Sequence, residues 1–463
     1  MHMSENTQRK PLSNGITDGV IWKQLMLFFF PIVLGTFFQQ LYNTADAIIV
    51  GKFCGKEALA AVGGATGALI NLLVGFFVGL SSGAAVIISQ YYGARKSDDV
   101  SRAVHTTIAL AVTSGALLTV IGLLFSEKLL ILMGTPQDVL VHAAAYLKVY
   151  FLGMIPQLLY NIGSGILRAM GDSRRPMLFL ICAAMTNIVL DVIFVLGADM
   201  GVVGAGLATI LSQLLSAILV LVTLRNSHFS YRLKFRNVRF HGDMLAQIVH
   251  IGLPAGLQSV MYSVSNIIIQ TSVNGFGTDV VAAWTAYGKI DGLNWMIVNA
   301  FGIAITTFAG QNFGAKQYDR LRQSVRTCLK LSAIAIVSLS VIVLTFGKAM
   351  LGLFADDAVV IETGYSIMKL IVPTYISYIF IEILSGAMRG TGEAFAPTMM
   401  TLTGICMVRV FWVSVIVPMR HELTMLLACY PLTWIITAVL FIIYYRRGNW
   451  LKRRIKIQEA GKA

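Results

Sequence analysis

The chain has 463 residues, of which 56% are hydrophobic and 13% charged, and its mean hydropathy is +0.74. That leaves too little polar surface for a soluble globule of this length and points to a polytopic membrane protein. A net charge of +14 would suit a nucleic-acid binder, but the placement of that charge argues against one.

Met1 to Lys23 is polar and the first apolar segment runs on as a long span, so no cleavable signal is expected. Spans are predicted at about 24–50, 58–91, 100–125, 137–167, 177–197 and 201–224. A basic connection over 225–247 follows. There Arg225, Arg232, Lys234, Arg236 and Arg239 alternate with Phe229, Tyr231, Phe235 and Phe240, the pattern of a segment lying on the inner leaflet. Further spans are predicted at 248–275, 280–311, 323–346, 358–387, 397–418 and 424–445, then a basic tail from Arg446 to Lys456. The predicted fold is all-α: twelve transmembrane helices in two six-helix bundles, an N-lobe over 1–224 and a C-lobe over 248–463.

Basic residues crowd into alternate connections, as at Arg9 and Lys10, Arg95 to Arg102, Arg168 to Arg175, and Lys316 to Arg326. The intervening loops hold only Lys52, Lys56, Lys128, Lys348 and Arg420. This is the positive-inside pattern, with both termini cytoplasmic and the chain in a bacterial-type cell membrane among lipids. The five cysteines stand singly and the histidines are unpaired, so neither a disulfide framework nor a catalytic metal site is expected. Gly55-Lys56-Glu57 lacks the leading glycine and the Ser or Thr of a phosphate loop. No enzyme chemistry and no cofactor are predicted.

The chain repeats itself. Gly165, Arg168, Gly171, Asp172 and Pro176 recur as Gly386, Arg389, Gly392, Glu393 and Pro397, and Gln90-x-x-Gly93-Ala94-Arg95 recurs as Gln311-x-x-Gly314-Ala315-Lys316. Both matches share one offset (314 − 93 = 221), which marks a duplicated half. With an even number of spans in each half, the copies keep the same orientation, related by an axis along the membrane normal. Gly75, Gly79 and Gly83, every fourth residue of the second span, read as a close helix-packing stripe.

The halves differ in charge. Asp46 and Asp191 lie inside apolar spans of the first, where the second holds Ile269 (aligning Pro31 with Pro254) and Trp412. An ionisable group at membrane depth costs roughly 3 kcal/mol, so it should face a cavity or a partner. At 1.5 Å per residue Asp46 lies roughly 8 Å and Thr209 roughly 12 Å from the outer ends of their spans, with Asp191 at a similar depth. Tyr42 and Asn187 each precede an aspartate by one turn, and Thr36, Gln39, Asn43 and Asp46 form a polar stripe. Two carboxylates among hydroxyl and amide oxygens can share a proton or coordinate a small hard cation. Either makes a cation-coupling site, with Na⁺ placed at Asp46, Asn187, Asp191 and Thr209 in the second case.

The second half has buried charges of its own: Lys289, Asp291, Lys369, Glu382 and Arg409. Asp291 and Arg409 lie near one depth and are expected to pair, whereas Glu382 and Arg409 differ by roughly 10 Å. Lysines facing a cleft would favour anionic or zwitterionic cargo; Lys148 and Lys369, being repeat equivalents, read as interfacial anchors. Pro31 removes a backbone hydrogen bond below Asp46 and marks a hinge, though Pro254 repeats it without an acid above.

The run Tyr42-Asn43-Thr44-Ala45-Asp46-Ala47-Ile48-Ile49-Val50-Gly51, the Leu167–Asp172 and Met388–Gly392 motifs, and Gly310-Gln311-Asn312-Phe313-Gly314-Ala315 resemble the multidrug and toxic compound extrusion (MATE) family, most of all its DinF-like branch. The resemblance covers nearly the whole chain. It implies two six-helix bundles around a central cleft, exporting small organic compounds, chiefly cations, in exchange for H⁺ or Na⁺. It carries the branch's cation site onto Asp46, Asn187, Asp191 and Thr209. Where the NorM branch has an acid on the seventh span this chain has Tyr262, so a second-lobe coupling site of that type is not expected. Gln39, Asn43, Tyr262, Lys289, Asp291, Glu382 and Arg409 remain candidates for the cleft, and a monomer is expected. A flippase of the same superfamily would need several cavity arginines and extra spans, a lipid-modifying enzyme an intramembrane nucleophile or metal cluster, and a channel would show no uphill export.

Overall fold

A computed structural model describes residues 15–227, 232–420 and 422–460. Arg9, Lys10, Phe229 and Tyr231 lie outside them. Among the described residues the regular structure is helical throughout, as lipid demands of a chain whose backbone groups must be satisfied within each span. The twelve spans are α1 (Ile21–Phe53), α2 (Ala60–Gly93), α3 (Ser97–Leu132), a bent α4 (Gln137–Leu152 and Met154–Ala169), α5 (Arg174–Gly197), α6 (Gly201–Arg225), α7 (Gly242–Asn274), α8 (Thr278–Gly314), α9 (Tyr318–Leu351), α10 (Ala358–Gly390), α11 (Phe395–Met419) and α12 (Leu423–Arg447). A further helix, α13 (Trp450–Glu459), follows.

Several helices outrun their apolar windows because charged ends suit helix termini. Asp98 and Asp99 occupy the first turn of α3, complementing its dipole. Helix α7 starts at Gly242, inside the stretch expected to be a connection. There Asp243 takes a hydrogen bond of 2.7 Å from Arg102, and Met244 and Ile248 are buried against the N-lobe.

The duplication is written into the backbone. Arg95 and Lys316 adopt the left-handed conformation at φ 58° and 59°, and Gly171 and Gly392 at 95° and 86°. The equivalent spans α4 and α10 both break mid-span, α4 by a 52° bend at Gly153 and α10 at the 3₁₀ turn Val372–Thr374 carrying Pro373.

The lobes are tied together at the end of the bundle that carries the basic loops. A methyl on Gly79 would come within 2.7 Å of the Gly256 backbone of α7, and Gly75 faces Ser259, so the glycine stripe is indeed a packing surface, here between lobes. Gln90 donates to the Gly390 carbonyl at 2.7 Å and Gln311 to the Ala169 carbonyl at 2.7 Å, a matched pair under the repeat. Phe29 of α1 stacks on Phe301 of α8 with centroids 4.1 Å apart, so the lower part of α1 packs on the C-lobe while Asp46 sits in the N-lobe. Pro31 lies between these two attachments in an unbroken helix. Under the C-lobe, α13 is held by Arg453 to Glu393 at 2.6 Å and by Arg454 donating to the Thr391 carbonyl at 3.0 Å.

Candidate functional site

The N-lobe site forms where α5 packs between α1 and α6. Gly35 allows the approach: a methyl there would already touch Leu180 at 3.1 Å and the Met177 backbone at 3.4 Å. Asp46 is 7% exposed, Asn187 and Asp191 are fully buried, and Tyr42 is buried beside them. Asp46 and Asp191 lie within electrostatic reach of each other, and Tyr146 of α4 lies within reach of both. Thr209 is half-buried and spends its proton on the Ala205 carbonyl of its own helix at 3.1 Å, leaving its lone pairs free.

The site's distinguishing property is unmet demand. Asp46 Oδ1, both Asp191 oxygens, Asn187 Oδ1 and Nδ2, and Gln213 Oε1 are buried and accept or donate no hydrogen bond. A buried polar group without a partner costs on the order of 1–3 kcal/mol, more when charged. Five buried oxygens that accept no hydrogen bond fit a small cation or a proton. Gln213, which donates to the Tyr42 hydroxyl at 3.4 Å, and Tyr146 were not foreseen from sequence. Gln213 could have been, since it follows Thr209 by one helical turn.

A separate cavity of about 850 Å³ lies between the lobes, walled by α2 and α4 on one side and by α7, α8, α10, α11 and α12 on the other. Tyr262, Asp291, Glu382 and Arg409 line it. Gln39, Asn43 and Lys289 do not. Asn43 is exposed and gives its amide to Gln40 at 3.4 Å, Gln39 faces Tyr42 within the N-lobe, and Lys289 is exposed.

The expected pair between Asp291 and Arg409 is not formed. Asp291 accepts from the Tyr287 hydroxyl at 2.8 Å, from Trp295 Nε1 at 2.9 Å and from the Tyr375 hydroxyl. Depth along a helix said nothing about its rotation, and Tyr287 and Trp295, one turn either side of Asp291 on its own helix, satisfy it. Arg409 instead lies over the Tyr430 ring, 4.3 Å from its centroid. Glu382 pairs with Arg389 of the repeated motif at 3.4 Å. Trp295, Tyr375, Tyr378, Tyr430 and Trp434 form one contiguous aromatic cluster beside these charges, with Trp434 centred 5.0 Å from Tyr375 and 5.2 Å from Tyr378.

Twelve membrane helices in two repeated lobes, with a cavity of small-molecule size between them and a second polar site in one lobe, are the architecture of a membrane transporter. Comparison with known proteins specifies it. The MatE family profile matches residues 31–193 and again 254–413, once in each lobe, and the chain belongs to that family of multidrug efflux transporters. Relatives include the probable multidrug resistance proteins YoeA and YpnP of Bacillus subtilis. YoeA is 29% identical over 97% of this chain and 99% of its own, and YpnP 28% over 94% and 97%. The multidrug export protein MepA of Staphylococcus aureus is 22% identical over 85% of this chain and 87% of its own. In fold, the chain superposes on a MOP superfamily transporter from Pyrococcus furiosus at a TM-score of 0.88, 23% identity and 96% and 99% coverage. It also superposes on an outward-facing MATE transporter at 0.85, 24% identity and 98% and 99% coverage.

Proposed function

We propose that the chain is a secondary antiporter that exports small organic compounds in exchange for a cation bound at Asp46, Asn187, Asp191 and Thr209, with Tyr42 and Gln213 completing the pocket. The observation that carries this reading is the set of buried oxygens that accept no hydrogen bond. Such a set is costly when empty and relieved when a proton or Na⁺ arrives, which makes occupancy a driving term. The proton is our first reading, because two neighbouring carboxylates can hold one in common. Na⁺ is the second, because amide and hydroxyl oxygens stand beside them.

The lobes are closed against each other at the basic end, which the charge pattern assigns to the cytoplasm. The state is then outward-facing, and alternating access requires that seam to open. We read Pro31 as the hinge of α1, since it separates the part of the helix attached to the C-lobe from the part that carries Asp46. Organic cations are the cargo that the family resemblance suggests. The protein is read as a monomer in the cell membrane, both termini cytoplasmic. Export from proteoliposomes of the purified full chain tests the reading: an imposed pH gradient should drive uphill movement of a fluorescent dye at equal Na⁺. Movement that follows a Na⁺ gradient at clamped pH would replace the proton by Na⁺, and movement indifferent to both would end the antiport reading.

A further inference from the structure

The central cavity carries five charged groups: Arg168, Asp291, Glu382, Arg389 and Arg409. Both acids are already satisfied by protein. Glu382 is paired with Arg389, and Asp291 holds three neutral donors. Of the three cations, only Arg389 is matched in return. Arg168 is the repeat equivalent of Arg389, but the position equivalent to Glu382 is Asn161, and among the described residues Arg168 forms no ion pair. Arg409 is the sharper case. It is 3% exposed, its Nε is buried without a partner, and among the described residues it donates no hydrogen bond at all.

Its setting is built rather than incidental. The turn Val408–Phe411 that bears Arg409 is flanked by two π-helical segments, Leu402–Met407 and Trp412–Ile416, an irregularity that concentrates at functional sites. One face of the guanidinium lies on Tyr430, which offsets part of its desolvation through the ring quadrupole but accepts none of its in-plane N–H groups. A planar fork of donors with one face covered and no acceptor is complementary to a carboxylate, which it can take in two parallel bonds. The aromatic cluster around Trp295 and Trp434 stands beside it and supplies stacking area for a flat apolar body.

We propose that Arg409 is the anion-binding group of the cavity and that the cargo is an aromatic compound bearing a carboxylate, an anion or a zwitterion, rather than a purely cationic one. This rests on reading the cavity as the cargo site of the transporter proposed above, and it replaces only the charge class of that cargo. A zwitterion could still point its amine toward Asp291, whose carboxylate retains acceptor capacity after three bonds.

The test uses one fluorophore in three charge states: dansylglycine (anion), dansylglycinamide (neutral) and dansylcadaverine (cation). Each is titrated at equilibrium into the full chain in phosphatidylcholine nanodiscs, with energy transfer from tryptophan reporting occupancy beside Trp284, Trp295 and Trp434, which line the cavity. Dansylglycine should bind about tenfold or more tighter than either of the others, the factor that charge-assisted bonds to a desolvated guanidinium provide. Arg409→Gln should erase that preference, weakening dansylglycine about tenfold or more and not weakening dansylcadaverine, which is relieved of a like charge. Arg409→Lys should keep part of it, as a point charge without the fork does. Wild-type protein that binds dansylcadaverine as tightly as dansylglycine overturns the proposal, as does an Arg409→Gln variant that keeps the preference. The wild-type comparison decides the matter even if the variant does not fold. Because no gradient is applied, failure of ion coupling leaves this result intact, and failure here leaves gradient-driven export of other cargo open.

Discussion

Helices α5 and α11 occupy equivalent places in the two lobes and have gone opposite ways. Both carry π-helical turns, Val192–Gly197 in the first and Trp412–Ile416 in the second, so the irregular backbone is shared. In α5 the residue just before that turn is Asp191, with no hydrogen-bond partner for either oxygen. Its repeat equivalent in α11 is Trp412, the first residue of the turn there, whose indole donates to the Met425 carbonyl at 2.8 Å. Where the N-lobe has Asp46, the repeat gives the C-lobe Ile269, which packs in an apolar cluster with Val413, Val417, Leu426 and Cys429. The C-lobe has filled with hydrocarbon the place where the N-lobe keeps unmet polar demand. Duplication preserved the scaffold, and ion chemistry can reside only where occupancy can still change.

The comparison breaks most visibly at the carboxylates. Asp46→Asn and Asp191→Asn should each reduce gradient-driven export by about tenfold to a hundredfold, the range of typical coupling energies, with cargo binding retained. An amide mimics the protonated acid but can neither release a proton nor lend full charge to Na⁺. Asp291→Asn should instead destabilise the protein by about 1–3 kcal/mol through loss of its charge-assisted bonds, while export still answers the gradient. Proteoliposome flux and thermal unfolding measured on the same preparations separate the two. A folded Asp291→Asn protein that binds cargo yet ignores both gradients would move coupling into the C-lobe.

Where the lobes agree, paired substitutions should agree too. Gln90 and Gln311 make equivalent bonds across the seam, so Gln90→Ala and Gln311→Ala should each weaken the closed basic end by about 1 kcal/mol, roughly fivefold in its population. Spin-label distances across the basic loops would report this. A large effect from one and none from the other would show that the seam is not the symmetric latch its geometry describes.

The spans were legible in the sequence because lipid leaves a twenty-residue apolar stretch few alternatives to a helix, and the carboxylates because an acid at that depth needs a reason. The rotation of each helix was not legible. Asp291 and Arg409 were matched by depth alone, whereas the structure gives Asp291 to Tyr287, Trp295 and Tyr375 and leaves Arg409 on Tyr430. Partners from distant spans, such as Tyr375 on α10 or Tyr146 on α4, depend on which faces meet, and hydropathy along one strand of sequence does not report that. Helix α13 and its hold on Glu393 were equally hidden, since a run such as Trp450 to Gln458 reads as a basic tail until a surface is there to receive it.

The smallest expected effect divides the two ions at the N-lobe site. Thr209 donates to the Ala205 carbonyl, so only its lone pairs face outward, and a proton shared between the aspartates needs no ligand from it. On the proton reading Thr209→Val removes at most one weak acceptor and should change export by about two- to threefold, chiefly as a displaced pH profile. On the sodium reading the same change removes a coordinating oxygen that a methyl group cannot replace, and a small hard cation bound by few oxygens tolerates that poorly. Export measured across pH at fixed Na⁺, and across Na⁺ at fixed pH, therefore gives opposite patterns for one isosteric substitution. Collapse of Na⁺-dependent export with an unmoved pH profile would overturn the proton reading while leaving the asymmetry between the lobes in place.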